Sequence, residues 1–367
     1  MKVLQVIAAL TTAAMLACRP AESQTLSQDA KLPARLGALS NVVELSDGRV
    51  VFTDTKNKLF LRGDLKSNKL DTLGTRVDSL SPKSAAGEYK FPGSVAHLAQ
   101  DTIALVDFSA IRTTLWNEAG KPLGVLPLKA VAGNTPVLLY DTVGHGYKID
   151  YQAVIGGGEP GRTVRPDSIP VLRLTLNGGA VDTIAFLGGP EYGEAIFGEQ
   201  TQQAAKVFAP NDFFGVLPDG TTWVARAREN RVDWRSPDGH WTVGKTHPYK
   251  RLPVTQADRD RVLAQVREHG KQFGMPQDLR IVYPFAETKP PFEFALGRPK
   301  GEVWLQRPRT EQESPLTYDV FDRKGAWSRE IAFPRGSALA GFGRGQTVYG
   351  SLKNEDGTRS VVRFRLK

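Results

Sequence analysis

Gly301-Glu302-Val303-Trp304-Leu305-Gln306-Arg307 is one of six copies of a single pattern. A glycine or aspartate opens a turn, a short apolar run follows, and a polar residue stands six positions after the turn. The other copies are Gly48-Arg49-Val50-Val51-Phe52-Thr53-Asp54, Asp101-Thr102-Ile103-Ala104-Leu105-Val106-Asp107, Gly146-Tyr147-Lys148-Ile149-Asp150-Tyr151-Gln152, Gly220-Thr221-Thr222-Trp223-Val224-Ala225-Arg226 and Gly345-Gln346-Thr347-Val348-Tyr349-Gly350-Ser351. The copy at Gly146 is the poorest. Short runs rich in β-branched and aromatic residues, bounded by turn residues, mark strands.

Working outward, most copies follow an earlier strand and turn. Val42–Leu45 runs into Asp47-Gly48, Val95–Ala99 into Gln100-Asp101, and Phe213–Leu217 into Pro218-Asp219-Gly220; Phe292–Leu296 and Leu339–Phe342 do the same. Third strands end in further turns, as at Asn117-Glu118-Ala119-Gly120, Pro237-Asp238-Gly239 and Arg323-Lys324-Gly325. A fourth strand closes the unit, as in Trp327–Phe333. Repetition on this scale marks a repeat architecture, and four short antiparallel strands per unit mark a propeller blade. The sequence predicts an all-β chain, a six-bladed β-propeller with four-stranded antiparallel blades.

The sixth unit has Leu339–Phe342, Gly345–Ser351 and Ser360–Leu366, and no fourth strand before Lys367. A sheet edge has to be covered. Thr25–Pro33 is therefore expected to close the last blade. Two insertions break the spacing, at about 153–170 and about 249–290. The first reads as a loop around Gly156-Gly157-Gly158-Glu159-Pro160-Gly161. In the second, Thr255 and Asp258 form a capping signal, and Val262, Leu263 and Val266 recur at helical spacing. One helix is expected over Gln256–His269, packed over one end of the propeller or serving as a lid.

The N-terminus carries an address. Lys2 precedes an apolar run from Val3 to Ala17, and Cys18-Arg19-Pro20 follows. This pattern is a secretory signal, too short for a membrane span of about 20 residues. Met15-Leu16-Ala17-Cys18 resembles a lipobox with Met15 and Leu16 in imperfect places, so lipidation at Cys18 and ordinary cleavage near Ser23 both stay open. Residues 1–23 read as signal peptide and 24–367 as one propeller domain. Cys18 is the sole cysteine, so no disulfide is expected in the mature fold. The expected location is exported, periplasmic or extracellular.

The formal charge is +9, spread over the whole chain rather than gathered in a block. A diffuse excess is usually a solvated surface, and with export it argues against a nucleic-acid partner. A membrane is expected to be met only through an N-terminal lipid, and the chain is expected to be a monomer.

The repeated Gly-x-h-h-h-x-Asp, followed by a strand with Arg or Trp and a further Gly, resembles the NHL and TolB-like six-bladed propellers over residues 35–367. Lys289-Pro290-Pro291-Phe292 through Trp304 is similar to exported bacterial members of that group. The resemblance implies a fold and a ligand-prone face, not an activity. It also implies that Asp54 and Asp107, at matching positions, brace turns through backbone N–H groups. Lactonase relatives need Glu, Asn and Asp side chains converging on a central channel around calcium.

No nucleophile elbow, zinc-protease helix, phosphate loop or EF-hand loop is present. The histidines His97, His145, His240, His247 and His269 show no metal-ligand spacing. No catalytic residue, metal ligand or cofactor is assigned. The chemistry-bearing feature is a pair of arginine pairs in matching register: Arg226 and Arg228 in Trp223-Val224-Ala225-Arg226-Ala227-Arg228, and Arg307 and Arg309 in Trp304-Leu305-Gln306-Arg307-Pro308-Arg309. The guanidinium fork suits carboxylate or phosphate, and Tyr283, Phe285 and Phe292 are placed as an apolar wall. The competing expectation pairs these arginines with Asp or Glu of neighbouring blades. The sequence thus points to an envelope or extracellular propeller that binds a protein partner or a small anionic ligand. The alternatives are a metal-dependent lactonase or other hydrolase acting in the central channel, and a structural envelope component.

Overall fold

The computed structural model describes residues 25–127, 136–150, 167–271 and 274–367, apart from 82, 100, 178, 277, 310, 312 and 313. The signal segment with Cys18 and the glycine run at 156–161 lie outside the described residues.

The chain is a β-propeller. Among the described residues it forms six four-stranded antiparallel sheets, a count that fits six blades. The first sheet holds Leu39–Glu44, Val50–Asp54, Leu59–Asp64 and Lys69–Thr72; the second holds Pro92–His97, Thr102–Asp107, Arg112–Asn117 and Pro122–Val125. The third holds Leu139–Tyr140, His145–Ile149, Ser168–Thr175 and Val181–Gly188; the fourth holds Phe213–Val216, Thr222–Arg226, Arg231–Arg235 and Trp241–Thr242. The fifth holds Phe294–Arg298, Glu302–Gln306, Thr317–Phe321 and Trp327–Ala332; the sixth holds Ser337–Phe342, Thr347–Lys353, Arg359–Leu366 and, outermost, Leu26–Leu36.

The repeated turn signal has a backbone reason. The first hairpin of every sheet contains a residue with positive φ: Gly48 (85°), Asp101 (57°), Gly144 (107°), Gly220 (79°), Gly301 (89°) and Gly345 (62°). Glycine enters that region without a Cβ penalty, and aspartate tolerates it better than most residues. The weak third copy is now explained, because its turn glycine is Gly144 rather than Gly146.

Six apolar clusters hold the sheets together, each shared by two successive sheets. Phe60, Trp116 and Tyr89 lie between the first and second; Tyr140, Val106 and Leu174 between the second and third; Tyr147, Val171 and Phe214 between the third and fourth. Trp223, Trp234 and Phe321 join the fourth to the fifth; Trp304, Phe333 and Phe364 join the fifth to the sixth; Phe52, Leu32 and Tyr349 join the sixth back to the first. The ring is closed, and each fully buried large side chain contributes about 2 kcal/mol. Trp223 shows how tightly the sheets meet: a Cβ on Gly215 or Gly297 would lie 2.2 or 2.4 Å from its indole.

The N-terminal strand closes the sixth sheet as expected. Leu26–Leu36 pairs antiparallel with Arg359–Leu366, from Leu26 opposite Leu366 to Leu36 opposite Arg359. Asp29 bridges Arg363 and Arg365 at 2.8 and 2.9 Å. The expected helix runs from Gln256 to Lys271. Its cap is reciprocal: the Asp258 N–H donates to Thr255 Oγ1 (3.2 Å), and Thr255 N–H and Oγ1 donate to the Asp258 carboxylate (3.1 and 2.8 Å).

Two features differ from expectation. Ser168–Pro170, assigned to the first insertion, already belongs to a strand of the third sheet. A further hairpin, Tyr192–Phe197 with Gln200–Ala205, lies between the third and fourth sheets and forms a three-stranded sheet with Ile281–Val282 of the second insertion. Its sequence has little apolar alternation, because Gln200–Gln203 are all exposed.

Candidate functional site

The repeated polar residues Asp54, Asp107, Arg226 and Arg307 mark one end of the propeller, where second strands finish and first strands begin. In the first sheet this position is Asp54, fully buried. Its carboxylate accepts the N–H groups of Gly37 (2.8 Å) and Ala38 (2.9 Å), just before the first strand, and of Asn57 (3.2 Å) in its own turn. Asp107 does the same in the second sheet, accepting from Lys90 (2.6 Å), Phe91 (2.9 Å), Ser109 (2.9 Å) and Ala110 (3.2 Å). Both are bracing residues.

Arg226 and Arg307 occupy the equivalent position in the fourth and fifth sheets. Arg226 pairs with Asp212 (3.0 Å), just before its first strand, and with Asp233 (3.2 Å) on the third strand, and it donates to Phe186 O (2.7 Å). Arg307 makes a two-pronged contact with Asp319 (2.7 and 2.6 Å) and a third with Glu330 (2.6 Å). Asp233 faces Val224 and Asp319 faces Leu305 across the strands, the same register in both sheets. The Asp319 hydrogen bond pushes the Arg307 guanidinium up, further fixing its charge.

The competing expectation of carboxylate partners is met for Arg226 and Arg307, with the acids coming from their own sheets rather than from neighbouring ones. Both are held by carboxylates, and they line separate cavities. Arg226 and Arg228 border one of about 210 Å³, together with Asp212, Glu229 and Arg231. Arg228 lies 3.4 Å from Gly189 O. Arg307 and Arg309 border one of about 550 Å³ between the segment Pro248–Leu252 and the end of the fifth sheet. Lys250 and Asp319 supply its other charges, and Pro248, Leu252, Pro291 and Pro315 supply apolar lining.

The expected apolar wall is not there. Phe292 is buried in the cluster between the fourth and fifth sheets, against Phe213. Tyr283 meets Phe197 of the small sheet edge-to-face at 5.2 Å. Phe285 lies against Phe208 and under the Arg259 guanidinium.

Behind the larger cavity, Lys289 is buried and donates to Asp258 (2.9 Å) and to Arg309 O (3.0 Å). This pair ties the helix to the segment that carries Arg309. Burial alone would raise the Asp258 carboxyl, but bonds from Lys289 and Thr255 outweigh it and hold it at about 2. His247 stacks on Trp327 at 4.8 Å, and Trp327 Nε1 donates to Asp319 (2.8 Å). Desolvation lowers the His247 pKa, which favours the neutral ring.

The opposite end, at the first hairpins, holds a group that sequence spacing missed. His97, Asp101 and Glu118 bring one ligand atom each to within 4.8 Å of one another. His97 and Asp101 flank the first hairpin of the second sheet, and Glu118 follows its third strand. Fold, not spacing, joins them. One imidazole and two carboxylates suit a divalent transition metal. Glu118 is already engaged, accepting from Ser46 N–H (2.7 Å) and Ser46 Oγ. Arg49 and Arg62 also approach its carbonyl oxygen, which adds positive charge beside the group.

No known family profile matches the sequence, and no curated protein does. Among solved structures the chain is similar to a DUF4221 family member from Bacteroides vulgatus at 10% identity and TM-score 0.49, covering 95% of this chain and 99% of that one. It is similar to the PQQ-bound aldose sugar dehydrogenase of Streptomyces coelicolor at 14% and 0.46, again over 95% and 99%. A gluconolactonase of Xanthomonas campestris stands at 14% and 0.43, with the same coverage. Likenesses this distant say nothing about a reaction.

Proposed function

We propose that this protein is a binding protein, and that its site is the cavity of about 550 Å³ at the end of the fifth sheet, taking a small anionic ligand. The observation that carries this reading is the charge of the lining. Three cations, Lys250, Arg307 and Arg309, face one lining carboxylate, Asp319. Arg307 is spoken for by Asp319 and Glu330, so its part is to fix the field rather than to grip. Lys250 is an exposed member of the lining, and in this reading its ammonium group meets the ligand. The proline and leucine lining supplies the apolar contact usual in small-molecule sites.

The test is calorimetric titration with citrate, succinate and inorganic phosphate. At least one should bind, more weakly as salt rises. Lys250→Glu should weaken that binding at least tenfold with an unchanged melting temperature. Absence of binding by all three anions, or equal binding by the variant, would sink the proposal.

A second reading rests on His97, Asp101 and Glu118: a metal-dependent hydrolase in which these side chains hold the ion. A metal there would supply Lewis-acid activation of water or of an ester carbonyl. Titration with zinc, manganese and calcium, followed by an ester and lactone screen with and without chelator, separates the two readings. The remaining proposals are NHL or TolB-like six-bladed type, export to the periplasm or exterior, and an N-terminal lipid on Cys18. Lys2 with the apolar run Val3–Ala17 supports export. Loss of fatty-acid labelling in Cys18→Ser is the result expected of a lipoprotein.

A further inference from the structure

A helix laid on a globular body ordinarily buries an apolar stripe. The helix Gln256–Lys271 departs from that rule. The residue it buries is Asp258, a carboxylate, while Val262, Leu263 and Val266 are half-buried. Its first turn hangs on polar fastenings. Asp258 accepts from Lys289 (2.9 Å) and from Arg261 (2.8 Å), and the Arg259 guanidinium lies over the Phe285 ring at 4.9 Å. An element held by little buried apolar surface opens at low cost.

The same helix interrupts the wall of the larger cavity. Pro248–Leu252 runs along the cavity and leads into the helix, and Lys289-Pro290-Pro291 leads back to the cavity. These two legs are clasped at their base. Pro253 pairs with Thr288, Val254 N–H donates to Glu287 O (2.9 Å), and Lys289 N–H donates to Leu252 O (2.8 Å). The facing wall is Arg307-Pro308-Arg309, just past the second strand of the fifth sheet. Lys289 reaches both sides. An ammonium has three N–H donors; one goes to Asp258 of the helix (2.9 Å) and one to Arg309 O of the facing wall (3.0 Å). Lys289 is 5% exposed, so losing either bond leaves a buried charge short of a partner.

We infer, on the anion-binding reading of this cavity, that the helix is its latch and that Lys289 is the positioning residue that couples helix docking to anion binding. Lys250 stands on the leg that leads into the helix, and Arg309 stands on the segment that Lys289 holds. An anion that meets both cations therefore favours the arrangement in which the helix is docked. Linkage makes the effect mutual: the docked helix raises the affinity for the anion, and the anion tightens the helix. Lys289 acts from behind the lining, through Asp258 and the Arg309 carbonyl.

Hydrogen exchange of the mature chain with and without citrate, succinate or inorganic phosphate, run beside the titration, tests this. An anion that binds should slow exchange across Gln256–Lys271 by about fivefold or more. Lys289→Met should weaken its binding by about tenfold and abolish that protection. Ala264→Pro breaks the helix at an exposed position and leaves Asp258 and Lys289 in place. It should also weaken binding by about tenfold, with the sheets still folded by near-ultraviolet circular dichroism. Failure of all three anions to bind the wild type removes the anion-binding reading and the latch with it. Anion binding that leaves the helix amides unprotected, or that stays undiminished in Lys289→Met or in Ala264→Pro, keeps that reading and overturns the latch.

Discussion

In the first and second sheets the residue at the end of the second strand is an aspartate, Asp54 or Asp107; in the fourth and fifth the matching residue is an arginine, Arg226 at the strand's end and Arg307 just past it. Both link the end of the second strand to the rest of the sheet, with opposite polarity. Asp54 receives hydrogen bonds from the backbone just before the first strand. Arg226 sends one to Asp212, just before its own first strand, and Asp212 in turn receives the Ala227 N–H at 2.9 Å. The aspartates close on backbone N–H groups and on a side chain of their own turn, Asn57 or Ser109. The arginines need extra carboxylates, and two of those partners, Asp212 and Asp319, border cavities. Reversing the charge at one repeated position converts a brace into a bordered pocket.

The sharpest way to break this comparison is to remove the braces. Asp54→Ala would strand several buried N–H groups and should lose about 3 kcal/mol of unfolding free energy in urea. Arg226→Ala should lose about 2 kcal/mol, since Asp212 keeps the Gly188 and Ala227 N–H groups and Asp233 keeps Arg231. Arg307, 39% exposed at its side chain, should lose about 1 kcal/mol or less as Arg307→Ala. Equal losses at Asp54 and Arg307 would erase the distinction between sealed and bordered ends.

A smaller effect is read in pH. The folded Asp258 carboxyl sits at about 2, below its unfolded value of about 4. A depressed carboxyl contributes fully above the unfolded pKa and less as pH falls through the folded one. The stability gap between wild type and Asp258→Asn should therefore be about 2 kcal/mol at pH 6 and shrink as pH falls from about 4 to about 2. A gap that does not change with pH would detach this pair from the acid response.

Much of the fold was legible, for a local reason. Each first hairpin needs a positive φ, and glycine or aspartate records that need in the sequence. The closing strand was readable as a missing fourth partner, and the helix from Thr255 and Asp258. The hairpin Tyr192–Phe197 with Gln200–Ala205 was not readable, because its exposed glutamines carry no apolar rhythm. The arginine register was readable from Trp223 and Trp304, but the partners were not. Asp212, Asp233, Asp319 and Glu330 are ordinary polar residues until the sheets place them. His97, Asp101 and Glu118 meet for the same reason, through two hairpins of one sheet.

The closure of the sixth sheet also sets an order in time. Leu26–Leu36 is among the earliest of the described segments to be synthesised, and its partner Arg359–Leu366 is among the latest. Asp29 and Arg365 stand 336 residues apart in the chain. The ring cannot lock while the later strand is still being made. Until then the chain stays open, and it becomes a finished ring only when its last strand finds its first.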